Sequence, residues 1–137
     1  MTIGLEIHLK LNTANKVYCR CKNEDFDVPA NTNVCPFCTG QPGALPELNM
    51  QVVEKAIRLG KAINATVNTI SSFDRKVYTY PDLPSGYQIT QFHHPIIQNG
   101  KVSFWINNYA ETRTVKVSEA HIESDTAKIL PTPASLS

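Results

Sequence analysis

The four cysteines of the chain fall in two close pairs, Cys19-Arg20-Cys21 and Cys35-Pro36-Phe37-Cys38, with thirteen residues between the pairs. Thiolates one or two residues apart can grip a single ion from one tight turn, and thirteen residues are ample to fold the second pair onto the first. The chemistry this suits is a closed, tetrahedral zinc site whose work is to fold a loop. Two other readings stand beside it: two disulfides, which a reducing compartment disfavours, and four independent thiols, which the clustering disfavours. A second group is Glu6 and His8. Two apart on a strand, they leave the same face with Cα atoms about 6.6 Å apart. A carboxylate there suits Mg2+ or a phosphate-bound metal, and an imidazole suits a phosphate or a water. A charged, solvated face has the same pattern. The run His121-Ile122-Glu123-Ser124-Asp125, with Lys128 after it, also gathers acids and an imidazole, and it too reads equally as a solvated strand end.

Residues 73–82, Phe-Asp-Arg-Lys-Val-Tyr-Thr-Tyr-Pro-Asp, interleave charge with aromatic rings. Such a segment can bind phosphates and stack on a base, or it can be an edge strand with packed tyrosines. His93 and His94 are adjacent, so in an extended segment they point to opposite faces and are poorly placed to share a metal. There is no GxxxxGK[ST], GxGxxG or GxSxG motif, so any ATP chemistry lies outside the P-loop design.

The elements that must position these residues are legible to different degrees. Residues 2–11 alternate strictly, with Ile3, Leu5, Ile7, Leu9 and Leu11 on one parity, and predict a half-buried strand. Residues 12–45 are rich in Asn, Pro, Gly and Cys without a sustained period; so long a loop inside a domain needs a staple, and the cysteines are the candidate. Asn49 can cap a helix whose Val52, Val53, Ala56, Ile57, Leu59, Gly60 and Ile63 form one apolar stripe ending near Asn64. Residues 67–98 predict short strands broken by turns at Pro81, Pro84 and Pro95. Asn99-Gly100 predicts a hairpin turn, and a second hairpin follows, with a return strand over about residues 112–123. The final PTPASLS predicts a flexible tail at 131–137.

With 137 residues the chain has room for one domain. It is 42% apolar and 18% charged, which marks a folded chain somewhat short of solubilising charge. A net charge of +1 without like-charge runs argues against a field that by itself attracts nucleic acid or membrane. The start, MTIGLEIHLKL, reads as neither a secretory signal nor a transit peptide, and no apolar run approaches 18 residues; the expectation is a soluble, cytoplasmic protein.

Taken together, the segments resemble the GatB/GatE family, the B subunits of aspartyl/glutamyl-tRNA amidotransferases. The resemblance rests on ordered blocks: Ile3-Gly4-Leu5-Glu6-Ile7-His8 for IGLExH; residues 31–46 for NTNVCPxCxGxPGxLP; Phe73-Asp74-Arg75-Lys76; Tyr80-Pro81-Asp82; residues 87–92, YQITQF; Asn99-Gly100; and residues 121–128 for an HxEED-like end. The fold it implies is α+β, a glutamine-synthetase-like or guanidino-kinase-like antiparallel sheet with one main helix, called the cradle, plus the zinc-stapled loop at 19–38. Residues 1–130 would form part of that catalytic domain.

The activity it implies is ATP-dependent phosphorylation of the side-chain carboxylate of Glu-tRNA(Gln) or Asp-tRNA(Asn). Displacement of phosphate by ammonia follows. The ammonia comes from glutamine through the amidase, the A subunit, in a complex that also holds a small C subunit. By resemblance Glu6 and His8 match metal and active-site residues, Lys76 and Tyr78 match residues near ATP and the ammonia route, and Glu123 and Asp125 match part of the acidic end. Zn2+, Mg2+ and ATP are the cofactors implied, and misacylated tRNA is the partner, with no membrane. Five departures stand out: Ser124 for a second acid, Glu119 for Arg, Ser85 for Lys, His93 for Asp, and Thr126-Ala127 for Ala-Gly. Losing a carboxylate weakens a Mg2+ site, which depends on few charged oxygens. The alternative is a catalytically degenerate, zinc-stabilised binding module derived from the same protein.

Overall fold

The helix α1, Met50–Ala62, begins where its cap requires: the Asn49 side chain accepts a hydrogen bond from the Gln51 N–H at 3.0 Å. Val52, Ala56 and Gly60, four apart, form its buried stripe. It stops in a Schellman arrangement, with Asn64 left-handed at φ 51°, the Ala65 N–H on the Gly60 carbonyl and the Asn64 N–H on the Lys61 carbonyl. This computed structural model describes residues 3–24, 28–29, 31–77, 79–80 and 85–125. The expected tail, Lys128 and Thr126-Ala127 lie outside them, as does Tyr78.

The chain turns directly from the helix into β1, Thr66–Val67, the edge of a three-stranded antiparallel sheet of order β1-β4-β5. Strands β4, Ile97–Ile106, and β5, Glu111–Ala120, form a long hairpin in register from Ile97 opposite Ala120 to Ile106 opposite Glu111. Its turn uses left-handed residues at Asn107, Asn108 and Tyr109. A separate two-stranded antiparallel sheet pairs β2, Asp74–Val77, with β3, Tyr87–Thr90. The α+β class, the antiparallel pairing and the single helix among the described residues agree with expectation.

The core is small. Val52 and Ala56 of the helix meet Ile96, Ile97 and Ile122, with Leu11, Val17, Ile57 and Ile63 packed around them. The helix can come this close to the sheet because position 60 is glycine: a Cβ there would stand 2.8 Å from Val67 Cγ2 and 3.2 Å from Ile97 Cγ1. Tyr18 is buried outside this cluster, its ring edge-on to Phe73 at 5.5 Å and to Phe37 at 6.3 Å. Its hydroxyl is buried and has no hydrogen-bond partner among the described residues. Burial, and then the nearby Glu123 charge, push its ionisation upward. An unsatisfied buried hydroxyl costs about 1–3 kcal/mol. Tyr18→Phe is therefore expected to raise stability by about 1 kcal/mol in chemical denaturation; a loss of stability would mean that the hydroxyl has a partner in solution.

Two sequence expectations are corrected. Residues 3–11 form no strand. Ile3, Leu5, Ile7 and Leu9 are 73%, 83%, 83% and 61% exposed, and only Leu11 reaches the core. The alternation encodes a strand with one covered face, but a strand exists only where an edge pairs with it, and no edge among the described residues does. Asn99-Gly100 is not a hairpin turn. It lies inside β4, with Asn99 at φ 58°. A Cβ on residue 100 would stand 2.7 Å from Ile63 Cδ1, and the Lys101 N–H bonds the Ile63 carbonyl at 2.7 Å. The local conformation that favours a reversal here serves a close approach.

Candidate metal centre and neighbouring residues

Residues 12–45 carry turns, bends and one isolated bridge, Asn15 to Lys22, but no helix or strand among those described. That bridge closes a tight reversal: the Lys16 N–H bonds the Cys21 carbonyl at 2.9 Å, and the Asn15 amide bonds the Arg20 carbonyl at 2.7 Å. Cys19 and Cys21 are thereby offered from one turn. The second pair sits in a turn tightened by Thr39 N–H to the Cys35 carbonyl at 3.1 Å and Gly40 N–H to the Phe37 carbonyl at 3.0 Å. The two turns bring all four sulfurs within 4.8 Å of one another. Cys38 Sγ is the hub, 3.3 Å from Cys19, 3.6 Å from Cys35 and 3.8 Å from Cys21. Zinc–sulfur bonds of about 2.3 Å set tetrahedral sulfur–sulfur edges of about 3.8 Å, so the donor set fits zinc in type, number and spacing.

The thiols differ in environment. Burial pushes Cys19 well up, and burial also raises Cys21. At Cys35 burial acts upward as well, but the Cys38 backbone N–H, with the Cys38 and Cys21 thiols and the Phe37 N–H, outweighs it and brings the group down to about 7. Backbone N–H groups aimed at a sulfur favour its thiolate, the form that binds metal. The loop is fastened to the rest of the protein by Tyr18 and Val17, whose carbonyls accept from Glu47 and Asn49 N–H at 2.9 Å each. Arg20 forks onto the Glu47 carboxylate at 2.8 to 3.2 Å, and the charge of each favours the ionised form of the other. The cysteines open onto a groove of about 520 Å3 walled by Tyr18, Phe37 and Leu45.

The other candidate residues are not gathered in the same way. Glu6 and His8 stand in the exposed segment, 3.9 Å from each other, and no hydrogen bond or ion pair joins either to Glu123 or Asp125. Among the described residues the cysteines are the one group of three or more ligating side chains placed to hold a metal. Residues 121–124 run beside β3. Thr90 Oγ1 donates to Glu123 at 2.6 Å, the Ser124 N–H bonds the Ile89 carbonyl, and Ser124 Oγ accepts from the Ile89 N–H at 3.2 Å. Ser124 thus serves as a backbone clasp where the resemblance leads one to expect a carboxylate. His121 bonds the Gln91 carbonyl through Nδ1 and faces Glu119 at 3.3 Å through Nε2. Asp125 is exposed, and Lys76 lies exposed on β2 opposite Gln88.

The residues around His93 and His94 carry more structure than their sequence suggests. Residues 92–94 bend and form no strand, and His93 and His94 both line a cleft of about 310 Å3. His94 Nδ1 lies 2.9 Å from Ser72 Oγ. Asp74 accepts from the His93 N–H at 3.0 Å, from the Phe92 N–H at 2.7 Å, and lies 2.8 Å from His93 Nδ1. Chiefly through the two His93 bonds, its carboxyl is brought down to about 2. The folded protein therefore prefers the carboxylate, so its contribution is complete above the usual carboxylate range and fades as pH falls through about 2. Asp74→Asn is expected to lower the melting temperature at pH 7 and to leave a flatter acid limb between about pH 4 and pH 2; parallel limbs in variant and wild type would refute the linkage. Neither this knot nor Lys16, which approaches Cys38, is legible in the sequence, because each depends on residues at least 18 positions apart.

No helix among the described residues is long and apolar enough to cross a membrane. The profile of the GatB/GatE catalytic domain matches residues 1–136. The aspartyl/glutamyl-tRNA(Asn/Gln) amidotransferase B subunit from Helicobacter hepaticus is 52% identical over 126 residues, 92% of this chain and 26% of the relative. The proteins of the same name from Pseudothermotoga lettingae and Crocosphaera subtropica are 44% and 46% identical over 128 and 132 residues, each covering 93% of this chain and 26% of the relative. The chain thus spans about a quarter of the length of the curated relatives it matches. A match over residues 1–136 places the chain in the GatB/GatE catalytic domain family.

Proposed function

We propose that the chain is part of the catalytic B subunit of an ATP-dependent amidotransferase that converts Glu-tRNA(Gln) to Gln-tRNA(Gln), Asp-tRNA(Asn) to Asn-tRNA(Asn), or both. The observation that carries this is the catalytic-domain match over residues 1–136, together with relatives of that name at 44–52% identity. Its setting is the cytoplasm, and its partners are the misacylated tRNA, the amidase or A subunit, and the small C subunit. Residues 1–130 belong to a glutamine-synthetase-like cradle.

The chemistry follows from the substrate. A carboxylate is a poor acyl donor, so its oxygen first attacks the γ-phosphorus of ATP, the bond to ADP breaks, and an acyl phosphate results. Ammonia then attacks the acyl carbon, the bond to phosphate breaks, and the nitrogen passes one proton to the departing phosphate. Such transfers depend on positioning and on charge neutralisation. Mg2+, when bound, supplies part of that neutralisation. Glu6, His8, Glu123 and Asp125 are the ligands proposed for it, a grouping that requires residues 3–9 to lie beside residues 121–125. Lys76 and Tyr78 are proposed to line the ATP and ammonia side, where a cation opposes phosphate charge and a ring excludes water. Zinc on Cys19, Cys21, Cys35 and Cys38 has no step in this reaction and holds the loop that precedes the helix.

The test is Gln-tRNA formation by the full-length protein in complex with its amidase and its small partner. Glu6→Gln is expected to lower ATP-dependent amidation by at least about a thousandfold while glutamine hydrolysis by the amidase continues. Amidation undiminished in Glu6→Gln would overturn the role given to this segment, and an assembled complex that leaves Glu-tRNA and Asp-tRNA unchanged would overturn the function.

A further inference from the structure

Four thiolates on one Zn2+ leave two net negative charges in a loop that is only half-exposed, and such charge is costly unless a cation stands near. Three basic residues lie within residues 13–38. Arg20 is held by Glu47, and Lys22 lies 3.7 Å from Glu24. Lys16 alone of the three points at the sulfurs: its Nζ is 3.8 Å from Cys38 Sγ and donates to the Asn33 carbonyl at 2.9 Å. Its backbone N–H is pinned to the Cys21 carbonyl, so one residue is tied to the turn of the first cysteine pair and reaches the hub sulfur of the second. Asn33 is fixed in turn by its amide on the Lys22 carbonyl at 2.8 Å.

We propose that Lys16 is the positioning cation of the cysteine site, and that its charge sets how tightly the site holds zinc. The inference rests on the zinc reading of the cysteines. Zinc on four thiolates carries two net negative charges, so a fixed ammonium beside Cys38 stabilises the loaded state. Outer-shell partners of metal ligands typically act at the level of 10–100-fold in affinity.

The experiment is chelator competition on the zinc-loaded full chain, together with absorption spectra of the cobalt-loaded form. K16M is expected to weaken the hold on zinc by about 10–100-fold. In its cobalt form the bands of a tetrahedral sulfur site persist while the thiolate-to-cobalt transition moves to lower energy, because the sulfur orbitals lose a stabilising positive charge. K16R is expected to stay within about threefold of wild type, since it keeps the charge. If K16M binds no cobalt at all, a K16R that does bind it still supports the proposal. Equal weakening in both variants, or a K16M that holds zinc as wild type does, overturns it. A wild-type chain that takes up neither zinc nor cobalt removes the zinc reading itself, an outcome distinct from the failure of Lys16.

Discussion

Removing zinc, or replacing Cys35 with Ser, is expected to unfold residues 13–47 and to lower the melting temperature by on the order of 10 °C. The loop has little else to hold it. Tyr18 and Thr13 are its buried side chains among those described, no described helix or strand crosses it, and its backbone bonds are mostly local turns. Fixing a residue's backbone costs about 1–2 kcal/mol, so a segment of this length without a core needs a compensating bond such as a metal supplies. The damage would spread, because Tyr18 packs on Phe73 and the Val17 and Tyr18 carbonyls anchor the approach to the helix. Elemental analysis and melting of matched zinc-loaded and stripped samples check this. A stripped preparation with four titratable thiols and an unchanged melt would overturn it.

The 137-residue chain on its own is expected to form no Gln-tRNA or Asn-tRNA when given ATP, Mg2+, ammonia and the misacylated tRNAs. The reason is geometric. Glu6 and His8 are not gathered with Glu123 and Asp125 into a group of ligating side chains, and the Ser124 hydroxyl is taken by the backbone of β3. Holding reacting groups in place is worth several powers of ten, and phosphoryl transfer relies on little besides that and charge. The chain alone should therefore fall at least about a thousandfold below the assembled enzyme. Turnover by the isolated chain that Glu6→Gln abolishes would show a complete apparatus within these residues.

The features legible in the sequence are those encoded over a few neighbours. Asn49 caps the helix, the stripe Val52, Ala56 and Gly60 faces inward, and the paired cysteines converge, because each depends on spacing along one turn or one short loop. The hairpin after Trp105 is readable for the same reason. What the sequence hides is long-range. Period-two alternation in residues 3–9 says which face would be covered but cannot supply the neighbouring strand. Asn99-Gly100 has the backbone freedom of a turn, yet only the approach of Ile63 decides how that freedom is used. Likewise Asp74 reads as part of a charged, aromatic segment, and it is the loop at Phe92 and His93 folding over it that makes it a structural acceptor.

The bare segment at residues 3–9 also bears on how the chain behaves in a test tube. Alternating, exposed aliphatic side chains and no proline are the attributes of a segment that adds itself to another copy edge to edge. Glu6 and Lys10 on the opposite parity act as gatekeepers, and their charges repel or misalign copies in parallel stacking. Self-association of the isolated chain should therefore rise with protein concentration and with salt, as screening weakens those charges. A low working concentration and low ionic strength are the conditions that keep it dispersed.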